Sequence, residues 1–125
     1  MGELYVIEIE PEVQQWLPNL SPQRYRQVEE KAELLAEYPT TLSEPHSRYL
    51  GDGVRELRLS LGGNAVRITY WLPAGKRIVL LTVFRKTKMR EDTEVKRARR
   101  AKQLCEAEHT AAHQTYSRDA HEEEQ

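Results

Sequence analysis

The clearest pattern in this chain is an alternation of apolar and polar residues with period two, which predicts β-strands. The alternation is strongest over residues 54–61 and resumes over residues 65–72, after a turn sequence at residues 62–64. A second turn sequence at residues 73–75 leads into an apolar run over residues 77–84. Because short turns join strands that pair antiparallel, these three strands are predicted to form an antiparallel meander.

The pattern before the meander predicts one strand and two helices. Residues 4–10 alternate well enough for a strand. Apolar residues then recur at helical spacing over residues 13–20, where Pro18 should end or kink the helix. Ser21, followed by a proline, is a good N-cap for a second helix whose apolar stripe continues to about Tyr38.

The rest of the chain predicts a connection, a last helix and a tail. Residues 40–47 are interpreted as a loop, and a helix with one apolar side begins near Thr93. No core pattern is visible beyond about Glu108, so residues 105–125 are predicted to be an acidic tail that is frayed or disordered. We predict an α+β fold in the order β-α-α-β-β-β-α, with one domain over residues 1–104. The helices are expected on one face of the sheet and cationic residues on the other.

Charged residues are sorted along the chain, although the net charge is only −1. Residues 1–45 hold three Lys and Arg against nine Asp and Glu, and residues 46–104 hold fifteen against five. Residues 105–125 hold one against six. A strongly basic central segment is typical of a protein that binds nucleic acid. The acidic flanks either shield this segment or are solvated faces.

The chain gives no sign of a membrane or an oxidising compartment. The longest apolar run is too short to cross a bilayer, and the first residues lack the pattern of a signal peptide. The single cysteine, Cys105, can form no internal disulfide and is interpreted as a small helix residue rather than a nucleophile. We therefore expect a cytoplasmic protein with no membrane partner, no metal and no cofactor.

Cations gather where the apolar run of the last strand ends. Phe84 is followed by Arg85, Lys86, Thr87, Lys88, Met89 and Arg90, so that four of six residues are cationic. Like charges at this spacing repel one another unless an anion lies among them. The segment is therefore predicted to form one wall of a phosphate site.

The hairpin turn places two further arginines on one face of the sheet. A turn at Gly62-Gly63 sets Arg58 directly opposite Arg67, whereas a turn at Gly63-Asn64 sets the two arginines one diagonal step apart. Either register requires a counter-ion on that face. Two interpretations remain open: an internal ladder with Glu56 as the counter-ion, and a site for a bound phosphate.

Three segments in this order resemble the RelE/HigB superfamily of toxins, particularly its phage-derived HigB-like branch. They are Leu50-Gly51-Asp52-Gly53-Val54-Arg55-Glu56-Leu57-Arg58, Val66-Arg67-Ile68-Thr69-Tyr70, and the apolar strand ending Phe84-Arg85-Lys86-Thr87-Lys88. In that branch a glycine precedes an "E-L-R" strand, the next strand carries "Y-R-I-x-Y", and the last ends "F-x-K-K-T". The resemblance covers about residues 3–104, with Val66 standing where many relatives have tyrosine.

The resemblance implies a bacterial toxin that enters the ribosomal A site and cuts translated mRNA. It also implies a cognate antitoxin, of the HigA-like kind with a helix-turn-helix, that holds the toxin inactive. Such cleavage needs no metal, since the 2′-hydroxyl of the RNA attacks the adjacent phosphate. By position in the motifs, Arg67 and Lys86 would stabilise transition-state charge, and Arg58 beside them, with Arg85 and Lys88, would place the RNA backbone.

Other residues are candidates for weaker roles in the same chemistry. Arg55, Arg90 and the basic helix over residues 96–102 would grip RNA, although a solvated face explains that helix equally simply. Trp71 shares the parity of Arg67 and is a candidate for stacking on a base. His46 is a speculative candidate for proton transfer, because its side chain has a suitable unperturbed pKa.

Two other functions fit the same resemblance. One is a ParE-like inhibitor of DNA gyrase, which binds a protein and cuts no RNA. The other is a non-catalytic RNA-binding module that has kept the fold.

Overall fold

A computed structural model of the chain describes residues 4–87 and 91–124, with side chains up to Glu108. The described residues form one five-stranded sheet with helices on both of its faces. The strands are β1 (Val6–Ile9), β2 (Ser47–Gly51), β3 (Val54–Leu61), β4 (Asn64–Trp71) and β5 (Arg77–Arg85). The helices are α1 (Pro11–Trp16), α2 (Pro22–Glu37) and α3 (Glu91–Glu124), and a 3₁₀ turn (Leu17–Asn19) follows α1.

The predicted meander is confirmed, and the structure selects between its two registers. Strands β3, β4 and β5 are consecutive antiparallel neighbours in the order β1-β5-β4-β3-β2, and β1 pairs parallel with β5. Arg58 lies directly opposite Arg67, so the hairpin turn is Gly62-Gly63. Both glycines have positive φ, 57° and 81°, which a two-residue hairpin turn of this kind requires.

The two predicted N-terminal helices are also confirmed. Helix α1 stops at Trp16 and gives way to the 3₁₀ turn that contains Pro18, as expected of a proline that cannot continue the helix. The Ser21 hydroxyl accepts a hydrogen bond from the backbone N–H of Arg24 and caps α2. Helix α2 ends with Tyr38 as its C-cap.

Strand β2 was not predicted, since residues 40–47 were interpreted as a loop that leads straight into the hairpin. It pairs antiparallel with β3 through Arg48 opposite Glu56 and Tyr49 opposite Arg55. A short edge strand has no continuous apolar face of its own, and the backbone groups of its neighbour decide whether it forms. The order of strands and α-helices along the chain is therefore β-α-α-β-β-β-β-α.

The expectation that all helices lie on one face of the sheet is wrong. Helices α1 and α2 cover the face that carries Leu57, Ile68 and Leu80, while α3 covers Trp71 and Val79 on the opposite face. The apolar run of β5 explains the arrangement, because a strand buried on both faces shows a continuous apolar sequence rather than an alternation.

Helix α3 is held to the sheet by its own basic residues. Arg97 donates to the carbonyl oxygen of Val83 on β5 and to the carboxylate of Glu12 on α1, and Arg99 donates to the carbonyl oxygen of Leu50 on β2. The ammonium group of Lys102 lies 5.2 Å from the centre of the Trp71 ring system. These three cations are therefore engaged in holding the helix, whereas Lys96 and Arg100 point to solvent.

The last helix is longer than the sequence pattern indicated. It runs without a break from Glu91 to Glu124, beyond the last predicted core position near Glu108. The division into a domain over residues 1–104 and a tail over residues 105–125 stays a prediction. In the part of the chain that the structure describes, no helix has the length and apolar character needed to span a membrane.

Candidate functional site

Two arginines face each other across β3 and β4 beside a buried carboxylate. Arg58 and Arg67 are cross-strand partners, and Glu56 lies two residues before Arg58 on the same face. The Oε2 atom of Glu56 is 3.7 Å from Nε of Arg58 and 3.6 Å from Nε of Arg67. The Glu56 side chain is fully buried, so it is the internal counter-ion that two opposed arginines require.

The charges in this group are poorly solvated. Neither carboxylate oxygen of Glu56 accepts a hydrogen bond from the described residues, and Nε of Arg67 donates none there. Burial raises the pKa of Glu56, and the positive charges of Arg67 and Arg58 oppose that rise. Burial likewise lowers the pKa of Arg67, against the opposing effect of Glu56. The Glu56 carboxylate and Nε of Arg67 therefore keep hydrogen-bonding capacity that no described residue uses.

Two ion pairs extend the group toward solvent. Arg48, opposite Glu56 on β2, lies 3.4 Å from a carboxylate oxygen of Glu91 at the start of α3. Nη1 of Arg58 lies 3.3 Å from a carboxylate oxygen of Glu44. We call Arg48, Glu56, Arg58 and Arg67 the arginine cluster. The residue pattern did not predict Arg48 or Glu44 as members of this site. Arg48 lies on β2, which pairs with β3, and Glu44 lies in the loop that precedes β2.

Lys86 follows the end of β5, where its backbone lies next to the start of β4. Its backbone N–H donates to the carbonyl oxygen of Ala65 over 2.8 Å. Ala65 precedes Arg67 by two residues and so shares its face, while Phe84 is the cross-strand partner of Arg67. The structure therefore brings Lys86 to the same end of the sheet as Arg67. Lys88 and Arg90 lie outside the described residues.

Arg85 and Arg55 are not brought to the cluster. Arg85 is the cross-strand partner of Val66, so it belongs to the face that carries α1 and α2. Arg55 pairs with Tyr49 across β2 and β3, and its guanidinium carbon lies 5.2 Å from the centre of that ring. Each arginine is one residue out of phase with the cluster, which puts it on the opposite face.

Trp71 is a core residue rather than an open stacking surface. Its side chain is buried beneath α3, against Val79, Leu81 and Cys105. The predicted role in stacking on an RNA base therefore has no support from this placement. Burial also raises the pKa of Cys105 to about 11, so its thiol is a poor nucleophile at neutral pH, in keeping with the interpretation of Cys105 as a structural residue.

Among the described residues, His46 contacts the arginine cluster through its backbone. Its carbonyl oxygen accepts a hydrogen bond of 2.8 Å from the backbone N–H of Arg58. Its ring nitrogen Nδ1 lies 3.1 Å from the ammonium nitrogen of Lys31 on α2. The ring is thus engaged with a helix residue, and the sequence-based proposal that His46 transfers a proton gains no contact with Arg67 or Lys86 among the described residues.

The buried charge of Glu56 leads to a pH-dependent expectation. Because its pKa is raised by folding, ionising Glu56 lowers the unfolding free energy as pH rises from about 4.5 through the pKa in the folded protein. Glu56→Gln removes that titration and keeps the shape. The unfolding free energy of the wild type minus that of the variant should therefore fall as pH rises, by at most about 1.4 kcal/mol per pH unit.

Urea unfolding of both proteins between about pH 4.5 and pH 7 measures this difference. Glu44→Gln is the matched control, since Glu44 is a mostly exposed carboxylate beside the same arginine, and its loss should change the unfolding free energy by about 1 kcal/mol or less. A difference that grows with pH for Glu56 would mean that ion pairing with the arginines outweighs burial.

Comparison with known protein families identifies the family of this chain. A family model described as phage-derived protein Gp49-like (DUF891) matches residues 15–106, which is most of the chain. The chain belongs to the Gp49-like family. A search of curated proteins gave no match to this member.

Solved structures similar to this Gp49-like protein are RelE toxins. The chain is 16% identical to a mutant of the E. coli toxin RelE in the free state, with a TM-score of 0.54 over 76% of this chain and 93% of that one. It is 14% identical to the toxin in the intact E. coli RelBE toxin-antitoxin complex, with a TM-score of 0.52 over 67% and 99%.

An archaeal relative shows the same architecture. The chain is 20% identical to a protein in the RelE-RelB complex of Pyrococcus horikoshii OT3, with a TM-score of 0.52 over 68% of this chain and 98% of that one. The resemblance to the RelE superfamily is thereby confirmed at the level of fold. This Gp49-like protein has the RelE fold. The superposition covers nearly the full length of each solved chain.

Proposed function

We propose that this Gp49-like protein is the toxin of a toxin-antitoxin pair and acts as a ribosome-dependent mRNA endonuclease. The observation that carries the proposal is the arginine cluster, in which Arg58 and Arg67 converge on one face around a single buried carboxylate. Two guanidinium groups on directly opposite residues repel each other. They are suited to bind a phosphate, which accepts several hydrogen bonds from arginine.

The proposed reaction is a transfer of the phosphate within the RNA. The 2′-hydroxyl oxygen forms a bond to the adjacent phosphorus, and the bond from phosphorus to the 5′-oxygen breaks. One proton leaves the 2′-hydroxyl and one reaches the 5′-oxygen, which yields a 2′,3′-cyclic phosphate and a 5′-hydroxyl. Negative charge builds on the phosphate oxygens meanwhile, and Arg58, Arg67 and Lys86 would stabilise it.

The side chains divide these roles by exposure. The Arg58 side chain is 22% exposed and the Arg67 side chain 9%, so Arg58 meets the phosphate from solvent and Arg67 reinforces it from below. Glu44 is an exposed carboxylate beside Arg58 and is a candidate acceptor for the 2′-hydroxyl proton. Lys96 and Arg100 on α3 would contact ribosomal RNA without reading its sequence.

Partners and location follow from the same proposal. An antitoxin, of the HigA-like type with a helix-turn-helix, would hold the protein inactive until it is removed. Two of the similar solved structures are complexes of RelE with RelB, which supports an antitoxin partner, while its HigA-like type is part of the proposal. Action on translating ribosomes would place the protein in the cytoplasm.

Induced expression tests the proposal directly. Growth should stop, and new mRNA 5′ ends should appear inside translated codons but not in untranslated regions. Sequencing of 5′-hydroxyl ends from induced cells measures both the position and the chemistry of the cuts. Intact mRNA together with gyrase-linked DNA damage would instead identify a ParE-like inhibitor.

A non-catalytic RNA-binding module is the second candidate function. The observation in its favour is that the Arg67 side chain is largely buried and its Nε faces Glu56. Such a protein would bind RNA with a strong salt dependence and leave mapped mRNA ends unchanged.

A further inference from the structure

A cleft lies on the face of the sheet opposite the arginine cluster. It has a volume of about 310 Å³ and lies between the region of α1 and α2 and the ends of β3, β4 and β5. The cleft is distinct from the proposed RNA site, because the sheet separates Val66 and Arg85, which line it, from Arg67 on the other face.

The lining of this cleft combines apolar side chains with two cations. Leu20, Leu61, Val83 and Trp16 supply much of the apolar surface, and the guanidinium groups come from Arg24 and Arg85. No Asp or Glu is among the described lining residues. Among the described residues, neither Arg24 nor Arg85 forms an ion pair through its side chain.

The Arg24 side chain lies against the hairpin turn. Its guanidinium group lies directly over Gly62, where any side chain would overlap it. Gly62 also has a positive φ of 57°, which disfavours other residues at that position. One cation thus lies at the hairpin and the other at the end of β5, and both line the cleft together with its apolar residues.

We propose that this cleft binds an acidic, amphipathic peptide segment of a partner protein. An aliphatic or aromatic side chain of the segment would fill the apolar part, and carboxylates on either side of it would pair with Arg24 and Arg85. The aliphatic lining favours a peptide over RNA, since single-stranded RNA is bound mainly by stacking of its bases. The inference is independent of RNA cleavage, although under the proposed function the antitoxin would supply the segment.

Selection from a displayed library of random twelve-residue peptides tests the proposal on the full chain. Selected peptides should be enriched in Asp and Glu around at least one large apolar residue. Their affinity should fall about tenfold or more with Arg24→Glu and again with Arg85→Glu. Arg26→Glu is the matched control, because Arg26 is exposed on the same helix and outside the cleft, and it should leave the affinity unchanged.

Several results would overturn the proposal. Recovery of no binding peptides would do so, as would peptides whose binding is indifferent to Arg24 and Arg85. If a single-stranded oligoribonucleotide binds wild type and loses as much affinity with Arg24→Glu as with Arg58→Ala, the cleft belongs to the RNA site. A dimer of the chain that Arg24→Glu dissociates would assign the cleft to a second copy instead.

These outcomes do not depend on nuclease activity. A chain that cuts no mRNA would still select acidic peptides if the inference is right. A chain that cuts mRNA and selects none would keep the proposed function and lose only this inference.

Discussion

Replacing Arg67 with alanine should lower the rate of mRNA cleavage by about 10²–10³-fold and restore growth on induction. Removal of one preorganised donor from a site that stabilises developing negative charge has a cost of this size. Arg67 is the cross-strand partner of Arg58 and shares the carboxylate of Glu56 with it, so the change also leaves Arg58 less firmly placed. Cleavage of a translated reporter mRNA in a purified translation system measures the rate.

Two further variants guard this test against a loss of folding. Arg58→Ala removes the more exposed arginine of the pair and should lower cleavage to a similar extent. Arg77→Ala is the control, because Arg77 lies at the opposite end of β5 and pairs with Glu8 there. Thermal unfolding should show that each variant is folded. Folded Arg67→Ala protein that cuts mRNA at the wild-type rate would remove Arg67 from the mechanism.

Replacing Trp71 with alanine should lower the free energy of unfolding by about 3 kcal/mol, because the change opens a cavity beneath α3. Trp71 is 8% exposed and packs against Val79, Leu81 and Cys105, so its side chain joins the sheet to the last helix. Urea unfolding followed by circular dichroism measures the change. Trp71→Phe keeps most of the apolar contact and should be destabilised much less.

The same experiment distinguishes a core residue from an RNA-stacking residue. Lys102→Ala removes the cation above the Trp71 ring together with its ion pair to Glu106, and it should cost about 1 kcal/mol or less. If Trp71→Ala unfolds at the wild-type urea concentration but binds RNA weakly, Trp71 is exposed to RNA and the packing described for α3 is not maintained in solution.

Local sequence patterns predicted most of the fold. Period-two alternation and turn residues identified β3, β4 and β5, and the Ser21 cap located the start of α2. These features depend on interactions between residues near in sequence, which the pattern records directly. Strand β2 depends on β3 for its hydrogen bonds. Its own sequence alternates too little between apolar and polar residues for a strand to be predicted.

The sequence predicted those parts of the candidate site that follow from the alternation of side chains between the two faces of a strand. Parity placed Arg58, Arg67 and Glu56 on one face, and the structure confirms that arrangement. Arg85 was grouped with them because it is adjacent in sequence to Lys86, yet adjacent residues of a strand point to opposite faces. Arg48 belongs to the site through the pairing of β2, and Glu44 belongs to it through the ion pair with Arg58. The sequence pattern revealed neither contact.

The sequence by itself determined the order of the meander, the helix starts and the gathering of positive charge in the middle of the chain. Only the tertiary structure decided which charges are available to a partner. In the folded chain, α3 is held by contacts of Arg97, Arg99 and Lys102, and Trp71 is buried beneath it. The physical reason is that ion pairing and burial depend on residues far apart in sequence, and their outcome is set only when the helix docks on the sheet.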